Sequence, residues 1–144
     1  MSELIAGVVD VFAETPFNGN PLAVVEGGDD LSDAQMQRIA GEFNQAETTF
    51  LLRSTRADWR LRSFTAAGVE VFGAGHNALG AWLWLAETGK LGPLETARTF
   101  QQQIGEDVLP IVMERIEGRI HGRMRQRPLS LLPPLRDVHR VTAW

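Results

Sequence analysis

The chain has no cysteine among its 144 residues. Disulfides, thiolate metal sites and cysteine nucleophiles are therefore excluded. Lysine is nearly absent too: of 14 basic residues, 13 are arginine and only Lys90 is lysine. We read that bias as genomic rather than chemical. No long hydrophobic run exists. The longest apolar block, Ala78 to Ala86, is interrupted by Gly80 and falls far short of the ~20 residues that span a bilayer. The opening Met1-Ser2-Glu3-Leu4-Ile5-Ala6 lacks the basic start of a secretory signal. The expectation is a cytoplasmic protein with no membrane segment. No internal repeat shows at short period. His121 and His139 have no partner at metal-ligand spacing, so no metal site is expected.

What is present is ordinary globular composition, 44% hydrophobic and 22% charged. Such a chain is neither disordered nor of low complexity. Its length suits one domain with a core that needs no staples. The net charge of −4 is unevenly spread: residues 1–52 hold nine acids and one arginine, while residues 115–144 hold seven arginines and two acids. A basic end raises the question of RNA or anionic lipid. No aromatics interleave Arg115 to Arg127, as stacking on bases would require. The segment is read as a solvated, arginine-rich sheet surface, with no nucleic acid and no membrane as partner.

Along the chain, Leu4 to Phe12 is β-branched and apolar, which suits a buried strand. Glu14 to Pro21 is loop chemistry with two prolines and an Asn18-Gly19 pair. Leu22 to Val25 reads as a second strand, broken by Gly27-Gly28-Asp29-Asp30. Ser32 then suits a helix N-cap and Asp33 the positive end of the dipole. Met36, Ile39, Ala40 and Phe43 follow at helical spacing, and Asn44-Gln45 marks the end. Glu47 to Leu52 is an apolar, threonine-rich strand. Trp59 to Thr65 alternates, with Trp59, Leu61 and Ser63 on one side and Arg60, Arg62 and Phe64 on the other. Its arginines are expected to face outward. Val69 to Phe72 is a short extended piece. Residues 76–87 read as a helix ended by Gly89 and apolar nearly all round, hence enclosed by protein. Thr96 to Gln103, Val108 to Arg115 and Arg119 to Arg127 read as antiparallel strands. The expected fold is α+β: a curled antiparallel or mixed sheet wrapped around a central apolar helix.

Three places carry candidate chemistry. Glu47 follows the exit of an amphipathic helix and opens an apolar strand. A carboxylate there is partly desolvated, which suits a general acid/base; the plainer reading is a surface glutamate at a strand end. Gly73-Ala74-Gly75-His76 precedes the second helix. Glycines allow close approach of a ligand, free N–H groups at a helix start attract anions, and His76 can pass a proton. The plainer reading is a glycine turn with a capping histidine. Position 78 is alanine and no Gly-Lys-Ser/Thr follows, so neither a dinucleotide fingerprint nor a phosphate loop is present. Asp10 with Gly19-Asn20-Pro21 organises either a site wall or only its own turn.

Taken in order, these segments resemble one family. Asp10-Val11-Phe12 and Phe17-Asn18-Gly19-Asn20-Pro21-Leu22-Ala23-Val24 look like its N-terminal signature. Leu31 to Ala40, Glu42 to Phe50, Phe64-Thr65, and Glu70-Val71-Phe72 leading into Gly75-His76 continue the match. The chain resembles the PhzF-like isomerases and epimerases of phenazine-biosynthesis type, related in fold to diaminopimelate epimerase. The match runs over residues 8–90 and more loosely to about Leu129.

The resemblance implies two similar α+β domains, each a sheet curled around a helix, with the active site in the cleft between them. It implies cofactor-free proton transfer on a small carboxylate-bearing substrate, in the phenazine branch a hydroxylated dihydroanthranilate. The glutamate that moves the proton maps onto Glu47, and His76 matches the Gly-His element beside the substrate. Asn20, Gly73, Gly75 and Asn77 are expected to bind substrate. With no cysteine, the thiol-pair chemistry of the related epimerases is unavailable, which leaves Glu47. The sequence departs from the pattern at Ala66, where proline is common, and at Asn77, where proline or alanine often follows the Gly-His. Residues 1–130 are expected to form the N-terminal domain and residues 131–144 an irregular tail. The second domain, with its own glycine-rich helix start and acidic partner, is not present in these residues. The site is therefore expected to be completed by another chain, either a homodimer mate or a separate second half. The alternatives are a catalytically inactive carboxylate-binding module and the remnant of a split gene.

Overall fold

A computed structural model describes residues 3–126. The expected boundary at residue 130, the tail at 131–144, His139, and the last position of the Arg119–Arg127 strand lie outside the described residues. Among the described residues eight strands form one mixed sheet: β1 (Ile5–Val11), β2 (Asn20–Glu26), β3 (Thr48–Leu52), β4 (Trp59–Phe64), β5 (Glu70–Val71), β6 (Arg98–Ile104), β7 (Asp107–Ile116) and β8 (Arg119–Met124). Their spatial order is β1-β2-β3-β4-β6-β7-β8, with β5 beside β4. The β2–β3 and β4–β6 pairs are parallel; the other pairs are antiparallel. Two α-helices accompany the sheet among the described residues, α1 (Asp33–Phe43) and α2 (His76–Glu87).

The sheet curls around α2, which touches β1 at one end of the strand order and β8 at the other. Strand alternation sorts the side chains into two cores. Val11, Leu22, Val24, Leu51, Leu61, Phe100, Ile104, Ile111 and Met113 point inward onto Ala78, Ala81, Trp82 and Leu85 of α2. Val25, Phe50, Leu52 and Phe64 point outward and are covered by Met36 and Ala40 of α1. Both helices end as their residues dictate. Ser32 and Gln35 exchange reciprocal hydrogen bonds in a capping box, and Asn44 closes α1 in the left-handed region. At the end of α2, Lys90 N–H donates to the Leu85 carbonyl at 2.9 Å and Gly89 N–H to Ala86 at 3.1 Å. Gly89 has φ 75, so this is a Schellman motif. Close approach of α2 to the sheet depends on Gly80, where a Cβ would lie 2.6 Å from Leu22 Cδ2 and 2.7 Å from Val11 Cγ2.

Several expectations need adjusting. β1 is not a buried strand: Ile5, Ala6 and Val8 are exposed and only Val11 is fully buried, because β1 is an edge of the open sheet. β8 stops at Met124, short of the expected end. The helix α2 is not enclosed all round: Leu79, Leu83 and Trp84 are half-buried. The curl does not close, because β1 and β8 do not pair with each other. Leu79 and Leu83 instead floor a groove of about 510 Å³ beside Asp10, Phe12, Arg119 and His121. On β4, Arg62 is not a free outward arginine. Its guanidinium binds Glu70 at 2.8 and 2.7 Å and Asp33 at 2.7 Å, which leaves its side chain 14% exposed. The arginines of β7 and β8 behave as expected: Arg115, Arg119 and Arg123 are exposed. Among the described residues no helix is long and apolar enough to cross a membrane.

Candidate active site

Glu47 sits one residue before β3, where the chain leaves α1 through Asn44 and re-enters the sheet. Side chains alternate along a strand, so Glu47 shares a side with Thr49 and Leu51, the side that faces α2. The N-terminus of α2 meets the sheet at this point. Thr49 stands opposite Ser63 in the β3–β4 register, and their hydroxyls are 2.8 Å apart. Asn77, 3% exposed, donates from its carboxamide to Ser63 Oγ at 3.1 Å. The first turn of α2 is thereby pinned two residues from Glu47, with His76 beside the carboxylate.

The result is a cavity of about 310 Å³ lined by Glu47, Val71, Gly73, Ala74, Gly75, His76, Asn77 and Gln126. His76 Nδ1 lies 3.5 Å from Glu47 Oε2, with side chains 13% and 19% exposed. At that distance the contact is electrostatic rather than a formed hydrogen bond. Glu47 Oε2 and His76 Nε2 are buried polar atoms with no hydrogen-bond partner. Leaving such atoms unsatisfied costs about 1–3 kcal/mol each, so the fold gives up stability to keep a carboxylate oxygen and an imidazole nitrogen unspent on two residues that line one cavity. A buried acid/base group beside a second proton carrier is what proton transfer to and from carbon requires. The first turn of α2 also begins here, and its N–H groups have no acceptor within the helix.

The other expected residues fall into three groups. Gly73 and Gly75 line the cavity. Asn77 lines it too, but its carboxamide is occupied by protein: besides Ser63, it donates to the Gly73 carbonyl at 2.9 Å and accepts from Gly75 N–H at 2.8 Å. Asn20 is exposed at the start of β2, at the same sheet end as Glu47 because β2 and β3 run parallel, and it is not among the cavity-lining residues. Asp10 accepts from Gly19 N–H at 3.2 Å, which is the turn-stabilising role. Among the described residues no group of three or more His, Asp or Glu side chains is arranged to hold a metal.

Sequence reasoning missed Thr49, Ser63 and Gln126. A signal existed for Ser63, a polar residue on the inward side of β4 with Trp59 and Leu61. Gln126 carried none.

Comparison with known proteins places the chain in a family. The family described as phenazine biosynthesis-like protein (PhzC-PhzF) matches residues 9–129. An uncharacterized isomerase, YddE of Salmonella typhimurium, is 51% identical over 127 residues, covering 88% of this chain and 41% of its own. The trans-2,3-dihydro-3-hydroxyanthranilate isomerase of Pseudomonas aeruginosa is 40% identical over 125 residues, covering 85% of this chain and 42% of its own. The crystal structure of a PhzF-family phenazine biosynthesis protein from Bacillus anthracis superposes with a TM-score of 0.76 at 34% identity, covering 86% of this chain and 41% of that one. The chain thus spans about two fifths of the length of the relatives it matches. Because the match covers the whole described sheet from Val9 onward together with both helices, this chain belongs to the phenazine biosynthesis-like protein family.

Proposed function

We propose that this chain supplies one wall of an isomerase site in which Glu47 moves a proton on a small carboxylate-bearing substrate. The observation that carries the reading is the pair of unpartnered buried polar atoms, Glu47 Oε2 and His76 Nε2, on two adjoining residues that line one cavity. Glu47 as carboxylate takes a proton from a carbon next to an activated group. As the acid, after that proton has exchanged with water, it delivers a proton to another position, so substrate and product have the same composition and the product made in D₂O carries deuterium. His76 holds the carboxylate on one side and offers Nε2 to a substrate oxygen or nitrogen on the other. The substrate carboxylate lies against the glycine turn and the free amides at the start of α2, with Asn20 at the rim. Relatives named trans-2,3-dihydro-3-hydroxyanthranilate isomerase point to that compound as the first substrate to try. Acid/base chemistry of this kind needs no cofactor.

The second wall comes from another lobe, and a second copy of this chain is the simplest source. An isologous pair places two Glu47–His76 walls in equivalent positions. The test is solvent-deuterium incorporation into trans-2,3-dihydro-3-hydroxyanthranilate as chain concentration rises. Incorporation per chain should climb with concentration and level off once pairing saturates. A rate per chain that is constant from nanomolar upward removes the paired-site reading. No incorporation at any concentration, with saturable binding of anthranilate at His76, leaves a carboxylate-binding module in place of an enzyme.

A further inference from the structure

The glycine turn before α2 is held by two side-chain amides. Asn77 reaches back over it with both ends of its carboxamide, Nδ2 donating to the Gly73 carbonyl at 2.9 Å and Oδ1 accepting from Gly75 N–H at 2.8 Å. Gln126, just past the end of β8, donates through Nε2 to the Ala74 carbonyl at 3.2 Å. Each residue of Gly73-Ala74-Gly75 therefore has a backbone group tied down, two from inside by one buried residue and one from outside by an exposed one. Asn77 is itself anchored: Nδ2 also bonds Ser63 Oγ, Ser63 meets Thr49, and Thr49 Oγ1 reaches the Asn77 carbonyl at 3.5 Å. This chain of bonds runs from β3, two residues after Glu47, through β4 to the residue after His76.

We propose that Asn77 is a positioning residue: its carboxamide, anchored on Ser63 and assisted by Gln126, locks the Gly73–Gly75 turn so that His76 stands against Glu47 before any ligand arrives. The inference rests on the reading of Glu47 and His76 as the proton-transfer pair. It reassigns Asn77 from substrate contact to support, because the carboxamide already spends its oxygen and its nitrogen on protein. The physical reason is entropic. A turn with two glycines in three residues has wide backbone freedom, and a bound complex in which it wanders holds His76 against Glu47 only part of the time, which lowers the rate. A carboxamide satisfied at both ends removes that freedom in the folded state. The site also loses one anion donor, since Gly75 N–H already points into Asn77 Oδ1.

The experiment compares Asn77→Ala with the wild-type chain by nuclear magnetic resonance and by deuterium incorporation into trans-2,3-dihydro-3-hydroxyanthranilate. The nuclear Overhauser contact between the His76 ring and the Glu47 side chain should weaken. Hydrogen exchange at Gly75 N–H should accelerate about tenfold, as loss of one hydrogen bond predicts. The deuterium rate should fall about tenfold in kcat, with KM changed far less. A merely structural asparagine lowers the unfolding midpoint but leaves the His76–Glu47 contact and the ratio of kcat to KM unmoved; that result overturns the proposal. If Asn77→Ala does not fold, Gln126→Ala decides, because Gln126 is exposed and its loss does not threaten the core. It should speed exchange across Gly73–Gly75 several-fold, and unchanged exchange overturns the proposal. A wild-type chain that incorporates no deuterium refutes the proton-transfer reading, while the magnetic resonance readouts still decide whether Asn77 holds the turn.

Discussion

Replacing Gly80 by alanine sets two known effects against each other. Gly80 lies in the interior of α2, where alanine is favoured over glycine by about 1 kcal/mol on helix propensity. Helix propensity alone therefore predicts stabilisation. The packing predicts the reverse. The new Cβ would sit 2.6 Å from Leu22 Cδ2 and 2.7 Å from Val11 Cγ2, and both side chains are 0% exposed. Val11 is β-branched and stiff, and Leu22 has no free space to turn into, so α2 must back away from β1 and β2. Overpacking of this kind costs about 1–3 kcal/mol, and more when backbone moves. Two contacts this short belong at the upper end, so the net loss should be about 2 kcal/mol. With a urea m-value of about 2 kcal/mol/M, the midpoint should drop by about 1 M. Gly122→Ala is the control. There the Cβ would meet Leu79 Cδ1 at 2.6 Å and Met113 Sδ at 3.2 Å, but Leu79 borders the open groove and can rotate away, and the Met113 contact asks for a shift of only a few tenths of an ångström, so the loss should stay below about 1 kcal/mol. Urea unfolding followed by tryptophan fluorescence reads both variants. A Gly80→Ala chain as stable as wild type, or more so, refutes the claim that α2 is clasped by the sheet at this point.

Arg62→Met should destabilise the fold by about 1–2 kcal/mol, because it strips the two-pronged partner from the half-buried Glu70; an unchanged urea midpoint contradicts this. The same arginine holds the Asp33 carboxyl below the usual carboxylate range through a direct hydrogen bond. A carboxyl depressed in the folded state stabilises the fold above its unfolded value, about 3.9, and loses that contribution as pH falls through the folded value. The Asp33 titration midpoint, followed by magnetic resonance, should therefore rise toward the ordinary value in Arg62→Met, and a midpoint that stays put refutes the pairing. Lys90→Met should cost about 2 kcal/mol, since it removes the ammonium 3.2 Å from Glu26, whose side chain is 9% exposed and whose other partner is the Trp84 indole. Adding Glu26→Gln to that variant should recover part of the loss; a further loss of the same size means that the two residues act independently.

The elements were legible because each carried its own periodicity or punctuation. Ser32 and Asn44 bracket α1, Gly89 ends α2, and the expected runs became strands within a residue or two of their ends, except the last, which stops at Met124 rather than Arg127. The enclosure of α2 was legible only in part. Its apolar surface was plain, but whether strands cover all of it depends on how far the sheet closes, and no local pattern encodes that. The burial of Arg62 was hidden for a related reason. Its partners lie eight and 29 residues away, so an alternating strand showed only that arginine faced outward. At the site, Glu47 and His76 were singled out by position, at a helix exit and a helix start, and the structure brings them together. Asn77 illustrates the limit of that approach. Its neighbours suggested a ligand contact, yet its hydrogen bonds go to Gly73, Gly75 and Ser63, partners that only the folded register of β4 against α2 supplies.

The most direct test of the account is deuterium incorporation from D₂O into trans-2,3-dihydro-3-hydroxyanthranilate by the wild-type chain and by Glu47→Gln, at a concentration where both are folded. Glutamine keeps the shape of the side chain and cannot carry the proton. Wild type should incorporate deuterium, and Glu47→Gln should fall by about a hundredfold or more, in keeping with the loss of a general acid/base. Equal rates from the two chains would contradict the assignment of Glu47 as the group that moves the proton.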